Sequence, residues 1–309
     1  MDKIRNIPKL FRLMIAALII LAAGSASAVE SPQQGAEILL DTYHRNMARL
    51  EKSSSGPPLL VESFERDNTV HVDVYGIFDY PFSSVATALK VPANWCDIVS
   101  LHPNIKACTN RELAGAWQLT FFLGKKTYQP PEDTRQVKFD YRNVVQQQGY
   151  LDITLNADAG PYGTSDHRMR FEALPVDGAK TFVHVSYAYS DSAALRLVVK
   201  IYFATLGRDK VGFTVIGTDR NSKPIYIGGP RGAVERTAVR SYFAIQSFMN
   251  TLRYPEESRF SMRISEWYSL TSRYGKQLFD LDKKDYLASK TKERANLVIL
   301  QRQIDSSLQ

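Results

Sequence analysis

The chain of 309 residues carries 39 Lys and Arg against 32 Asp and Glu, a formal charge of +7, with 16 Tyr, 15 Phe and only two Cys. Without the first 28 residues the totals are 35 and 31, and a net charge of +4 interspersed with acids gives no footprint for nucleic acid. A structural zinc site wants about four ligands at set spacings, and only His102 lies between the two cysteines, Cys96 and Cys108.

The chain opens with Lys3, Arg5, Lys9 and Arg12, continues with the apolar run LMIAALIILAAG from Leu13 to Gly24, and reaches the small residues Ala26-Ser27-Ala28. This is the pattern of a secretory signal over residues 1–28, with the mature chain starting near Val29. Its apolar core of about a dozen residues is well short of the roughly 20 that span a bilayer, which makes an uncleaved anchor the weaker reading. No later stretch is long and apolar enough to cross a membrane, so the expectation is an exported protein, soluble in the periplasm of the cell envelope.

Residues 34–51 place Ala36, Leu39, Tyr43, Met47 and Leu50 at spacings of three and four, which predicts a helix ended by Ser53-Ser54-Ser55-Gly56-Pro57-Pro58. From Leu59 to about Gly229 the pattern changes to alternation. Strands are predicted at 71–78, 117–124, 137–145, 150–157, 168–174 and 181–189, antiparallel because the links are short. Two helices interrupt them. One is PFSSVATALKV after Tyr80, with proline placed to start it. The other is ALRLVVKIYFATLG, whose branched residues also suit a strand but whose Gly207 reads as a helix stop. After Gly228-Gly229-Pro230, the residues Ala238, Tyr242, Ile245, Met249 and Leu252 draw a stripe about four turns long before Pro255. An antiparallel sheet needs one face covered, and this helix has the stripe to cover it.

Both cysteines lie in NWCDIVSLHPNIKAC, residues 94–108. In an oxidising compartment Cys96 and Cys108 can close a short disulfide loop that stabilises by about 3 kcal/mol. Two buried free thiols are the alternative. Thiol chemistry lacks a recognisable base or resolving group.

This order of elements, with YGIFDYPFSSVATALKVPANWCDI near its start, resembles the helix-grip fold of the START-like, or SRPBCC, superfamily. More closely, NWCDIVSLHPNIKAC, GPYGTSDHRMRFEALPVDG, YFATLGRDKVGFTVIG, GGPRGAVERTAVRSYFAI and SRYGKQLFDLDKKDYL are similar to a family of exported proteobacterial proteins. These motifs span roughly residues 59–290. The resemblance implies an α+β domain in which a curved antiparallel sheet wraps a long C-terminal helix. It also implies a cavity of the few hundred Å³ usual for small-molecule sites, without naming a ligand.

The residues themselves supply candidates for such a cavity. In VSYAYS, Val185, Tyr187 and Tyr189 share one face and His184, Ser186 and Ala188 the other. Tyr187 and Tyr189 either line a ligand pocket or pack a core, which have the same composition. In GGPRGAVERTAVR, Arg231 and Glu235 fall on or near the stripe that continues to Tyr242. A buried charge needs a partner, and Arg208, Lys210, Arg168 and Arg170 are the candidates for Glu235. An ion-pair network closing the end of the fold, an anchor for an anionic head group, and a catalytic role for Glu235 are the three readings of this pair. GPYG at 160–163 reads as a hairpin turn, and Ser165-Asp166-His167 are neighbours in sequence without the spatial roles of a triad. No catalytic residue, metal site or cofactor motif is assigned.

From Pro255 the tail reads as further helix, with Phe260, Ile264, Trp267 and Tyr274 on a weak stripe. Its last segment, ANLVILQRQI, is expected to dock on the body, with peripheral membrane contact as the alternative. The expected organisation is a leader at 1–28, a helix and linker at 29–58, a helix-grip domain at 59–254 and a helical extension at 255–309. The expected function is binding of a hydrophobic or amphipathic small molecule, for example a lipid, between sheet and helix. A structural or interaction role carried by the tail and a START-like cyclase or hydrolase type of enzyme are the alternatives.

Overall fold

One long helix lies on the inner face of an eight-stranded, fully antiparallel curved sheet. The computed structural model describes residues 32–51, 59–146, 149–205 and 207–307, so the leader and the Ser53 to Pro58 linker lie outside the described residues. Helix α1 (Pro32–Glu51) precedes the hairpin of β1 (Leu59–Arg66) and β2 (Thr69–Phe78). Two short helices follow, α2 (Phe82–Leu89) and α3 (Pro92–Val99). Then come β3 (Ile105–Leu113), β4 (Ala116–Leu123), β5 (Arg135–Gln146), β6 (Tyr150–Ala159), β7 (Thr164–Pro175) and β8 (Thr181–Asp191). Helix α4 (Ala193–Ala204) and a small hairpin, β9 (Val215–Thr218) with β10 (Pro224–Tyr226), lead to the long helix α5 (Gly229–Thr251). The tail holds α6 (Glu256–Ser272), α7 (Gly275–Leu278) and α8 (Lys283–Ser307).

Strand order is β1-β2-β8-β7-β6-β5-β4-β3. The crossover through α2 and α3 therefore carries the chain from β2 to the far edge, and β8 returns beside β2. This is the helix-grip arrangement expected from the sequence. Alternation gives each strand two faces. Val70, Val72, Val74 and Phe78 of β2 face the main core shared with α5, while Tyr75 faces the other way. With Phe182, Tyr150 and Leu174, Tyr75 makes a second apolar cluster that α1 covers through Leu39 and Leu50. Met47, expected on the buried stripe of α1, is 39% exposed, and Asn46 occupies the buried position, donating from Nδ2 to the Thr42 carbonyl at 3.1 Å. The inward row runs 39, 43, 46, 50, so the sequence stripe was one residue out of phase at this turn.

α5 approaches β2 closely because Gly76 has no side chain. A Cβ there would sit 2.1 Å from the Tyr242 hydroxyl oxygen. The tail belongs to the same core: Ile264, Trp267, Leu270, Leu278 and Tyr286 join the main cluster, and the Trp267 indole donates to the Arg240 carbonyl at 3.1 Å. α8 covers the open edge of the sheet. The Gln301 side-chain amide accepts from the Asn110 N–H and donates to the Asn110 carbonyl, both at 2.9 Å, occupying edge groups of β3 that would otherwise invite another strand. Cys96 on α3 and Cys108 on β3 are disulfide-bonded, which ties the crossover helix to that edge strand.

The outward face carries a buried polar network. His184 binds Asp73 through Nε2 and Glu172 through Nδ1, each at 2.8 Å, and Glu172 also accepts from the Tyr150 hydroxyl. Burial alone would depress the His184 pKa, but the two carboxylates outweigh it and lift the ring to about 9. Burial would raise Asp73, yet His184 and His71 hold it at about 2. The His184 contribution is therefore complete below its unfolded-state value near 6.5 and is lost as the pH rises through about 9. His184→Gln is expected to cost roughly 3–5 kcal/mol near pH 6, by stranding buried carboxylates. Its gap to the wild type, measured by urea unfolding on either side of pH 9, should narrow at the higher pH; a constant gap would show that the charged ring does not hold this face together.

Candidate functional site

α5 and the sheet do not touch along their whole length. Toward the middle strands α5 presents Thr237, Ala238, Ser241 and Ala244, small residues at the three- and four-residue spacing of one helix face. Opposite them stand Phe121, Phe139, Ile153 and Phe171. The Phe121 and Phe139 rings pack on each other at 4.5 Å, and Ile245 is the largest side chain that α5 brings to this space. A cavity of about 160 Å³ remains, bounded also by Trp95 and Ile98 of α3. It is smaller than expected from the sequence. Dry apolar cavities of about 150 Å³ take up benzene or xenon, whereas drug-sized sites start near roughly 300 Å³. The interior therefore fits one ring or a short length of chain.

Few polar groups reach this space. His102 follows α3 in a tight turn, where its Nδ1 accepts the Asn104 amide N–H at 3.1 Å. Burial, reinforced by the positive charges of Arg240 and Lys290, holds His102 well below the ordinary imidazole range. The ring is neutral, with its proton on Nε2, and that nitrogen is buried without a hydrogen-bond partner among the described residues. His167 on β7 is also pushed down by burial, against the opposing charge of Asp166. Its Nδ1 is bonded to the Tyr187 hydroxyl and its Nε2 to the Thr164 hydroxyl, both at 2.9 Å. The Thr164 hydroxyl donates to the Pro161 carbonyl at 2.8 Å, so it accepts from Nε2–H, and Nδ1 of the neutral ring accepts from the Tyr187 hydroxyl. Gly160 makes room for this arrangement, since a Cβ there would lie 2.0 Å from His167 Nε2.

Pro161, His167 and Tyr187 also border a surface groove of about 260 Å³ whose far wall is Leu195 and Val199 of α4. The hydrogen-bonded pair of His167 and Tyr187 thus stands between the interior cavity and the groove beneath α4.

The candidate residues divide. Tyr187 lines both spaces, and Tyr189 lines the groove, its ring stacked on His167 at 5.7 Å. Tyr242 is fully buried against Gly76 and does not line the cavity. Glu235 is fully buried too, but none of the expected cations meets it. Its carboxylate accepts from the Ser63 hydroxyl (2.5 Å), the Phe213 and Thr214 amides (2.5 and 3.0 Å) and the Thr214 hydroxyl (2.6 Å). Neutral donors aimed at both oxygens replace water as well as a cation would. Arg170 instead pairs with Asp152 at 2.9 Å and with Glu172 at 3.1 Å, and Arg208 with Asp209 at 3.8 Å. Lys210 donates to the Tyr202 hydroxyl at 2.5 Å, and Arg168 sits exposed on β7. Arg231 donates from Nε to the Ser63 hydroxyl at 3.2 Å and from Nη2 to its carbonyl. Arg231 and Glu235 form a clasp between the start of α5, β1 and the segment before β9, away from the cavity.

Sequence reasoning passed over His102, seen only as too little for zinc, and His167, seen only beside Ser165 and Asp166. Those three do not converge: the Ser165 hydroxyl donates to Asp166 at 3.1 Å on the outside while His167 turns inward. No carboxylate lines the cavity among the described residues, and none of their His, Cys, Asp or Glu side chains gather into a metal-sized cluster.

No protein-family model matches the sequence, and no curated protein matches it. Among solved structures the chain is similar to human StAR-related lipid transfer protein 5, at 11% identity over 72% of this chain and 100% of that one, with a TM-score of 0.37. It is also similar to a START superfamily protein from Mycobacterium smegmatis, at 14% identity over 44% of this chain and 89% of that one, TM-score 0.31. An aromatase/cyclase from Streptomyces matches at 12% identity over 40% and 70%, TM-score 0.28. At these scores none of the three carries an argument about what this chain does.

The Tyr242 hydroxyl is buried without a partner among the described residues. Tyr242→Phe is therefore expected to leave stability unchanged or raise it by about 1 kcal/mol in urea unfolding, because it removes an unsatisfied polar atom. A loss above about 2 kcal/mol would mean that the hydroxyl is bonded after all.

Proposed function

We propose that the protein is an exported carrier of a small, largely apolar molecule held between the sheet and α5. The observation that carries this reading is the 160 Å³ cavity itself, walled by aromatic and aliphatic side chains and kept open by the small residues of α5. The size limits the cargo to one ring or a chain end, with any larger portion extending past His167 and Tyr187 into the groove. His102 lines the cavity, and its Nε2–H, buried without a partner among the described residues, is a donor for an acceptor group on the cargo. Burial makes both lining imidazoles weaker bases than usual, and no carboxylate lines the cavity among the described residues, which favours holding over proton-transfer chemistry. Export is supported by the basic and apolar leader pattern and by the Cys96–Cys108 bond, which persists in oxidising compartments.

Native mass spectrometry and organic extraction of protein purified from the cell envelope without detergent test the proposal. The wild type is expected to carry one stoichiometric apolar ligand. Ser241→Leu, which places a branched side chain in the void, is expected to fold and come out empty. A wild type that is consistently empty, or a Ser241→Leu variant with the same occupancy, would contradict the carrier reading.

A further inference from the structure

The excursion between β8 and α5 has features that the cavity does not use. On α4, capped by the Ser192 hydroxyl accepting the Leu195 amide at 3.2 Å, Leu195 and Val199 turn toward the groove. The opposite side of the same helix holds Leu197, Val198 and Ile201, which are 62, 63 and 57% exposed. The hairpin that follows exposes Val215, Ile216 and Ile225 as well. A helix apolar on both sides and covered on only one is unusual for a surface in water, where large exposed apolar patches mark contact sites.

Charge chooses between contacts. Residues 193–227 hold six Lys and Arg against two Asp, a surplus of four that equals the whole surplus of the chain beyond residue 28. Everything else in that stretch of sequence is balanced. Arg208, Lys210, Arg220 and Lys223 are exposed, interleaved with the protruding aliphatic side chains. Protruding aliphatics ringed by cations suit the boundary of an anionic bilayer, where the chains enter the acyl region and the cations meet phosphates.

We propose that α4 and the β9–β10 hairpin dock this protein on an anionic lipid surface, with α4 acting as the cover of the groove through which cargo passes between membrane and cavity. The docking is a property of residues 193–227, whereas its purpose rests on the carrier reading. The last segment of the chain is not the membrane contact in this scheme, because Leu297 is buried against Ala107 and Phe122 and Gln301 is bonded to β3.

Co-sedimentation with phosphatidylcholine vesicles, with and without phosphatidylglycerol, tests the docking. The wild type is expected to bind the phosphatidylglycerol vesicles, and less so as salt is raised. Two charges on exposed positions in Leu197→Asp/Ile201→Asp should weaken binding at least about tenfold, since each buried aliphatic chain is worth more than one factor of ten. Arg208→Glu/Lys223→Glu should lose the preference for phosphatidylglycerol. Ile299→Asp, on an exposed position of α8, should bind like the wild type. All three variants change exposed side chains, and unchanged thermal unfolding verifies their fold. No vesicle binding by the wild type would overturn the proposal. So would undiminished binding by Leu197→Asp/Ile201→Asp, or a concentration-dependent dimer abolished by that variant in its place. Ligand occupancy measured without vesicles separates the two readings: it should be the same in the wild type and Leu197→Asp/Ile201→Asp, so an empty cavity counts against the carrier and not against the docking.

Discussion

The seating of α5 on the inner face of the sheet is the constraint from which the rest of the molecule follows. At β2 the helix comes as near as a glycine allows, with the Tyr242 ring pressed on Gly76. At its start Glu235 is gripped by Ser63, Phe213 and Thr214, and on its far side Trp267 of α6 bonds to the Arg240 carbonyl. These contacts fix the height and tilt of the helix independently of the middle strands. Where α5 then passes over β5 to β7 it offers Thr237, Ala238, Ser241 and Ala244, with Ile245 as its one larger side chain, and the gap cannot be closed by the helix sinking inward. The cavity is the remainder left by tight contacts elsewhere, and close packing of the surrounding core keeps it from collapsing.

Charge is handled by the same separation of roles. The groups buried most deeply are spent on architecture: Glu235 on its amides, His184 between Asp73 and Glu172, and Lys106 and Lys290 on Glu293 beneath α8. The cavity retains neutral imidazoles, and the net positive charge of the chain beyond residue 28 is concentrated in the excursion that carries α4. A polar interior face would hold water in the void. The proposed carrier role asks for both an apolar face inside and a cationic, aliphatic one outside.

Much of the architecture was legible because it repeats. The alternation of β2 and β4 to β8 and the helical spacing of α1, α2 and α5 were readable in order along the chain, and the helix reading of ALRLVVKIYFATLG, made on Gly207 as its stop, stands as α4. The Cys96–Cys108 pair was legible from the count of two cysteines and from the oxidising compartment expected of the opening pattern. α3 and β3, which hold those cysteines, were not, since a short apolar run bounded by turn residues fits either state. Glu235 was legible as buried, but its partners are main-chain amides from a distant loop, which leave no mark in composition. Asp73, Glu172 and His184 meet because β2, β8 and β7 are neighbours, a fact of register and not of spacing. The void was hardest of all: Ala238 and Ile245 were read as core, and only with α5 in place do they and Thr237, Ser241 and Ala244 border an absence of atoms.

That absence is measurable. Diffraction from crystals pressurised with xenon would show whether the space under α5 is real and dry. The account predicts a single strong xenon peak among Phe121, Phe139, Ile153 and Ala244, lost in Ser241→Leu crystals. A native interior in which rotated side chains fill that space, or one holding hydrogen-bonded waters and no xenon, would contradict it.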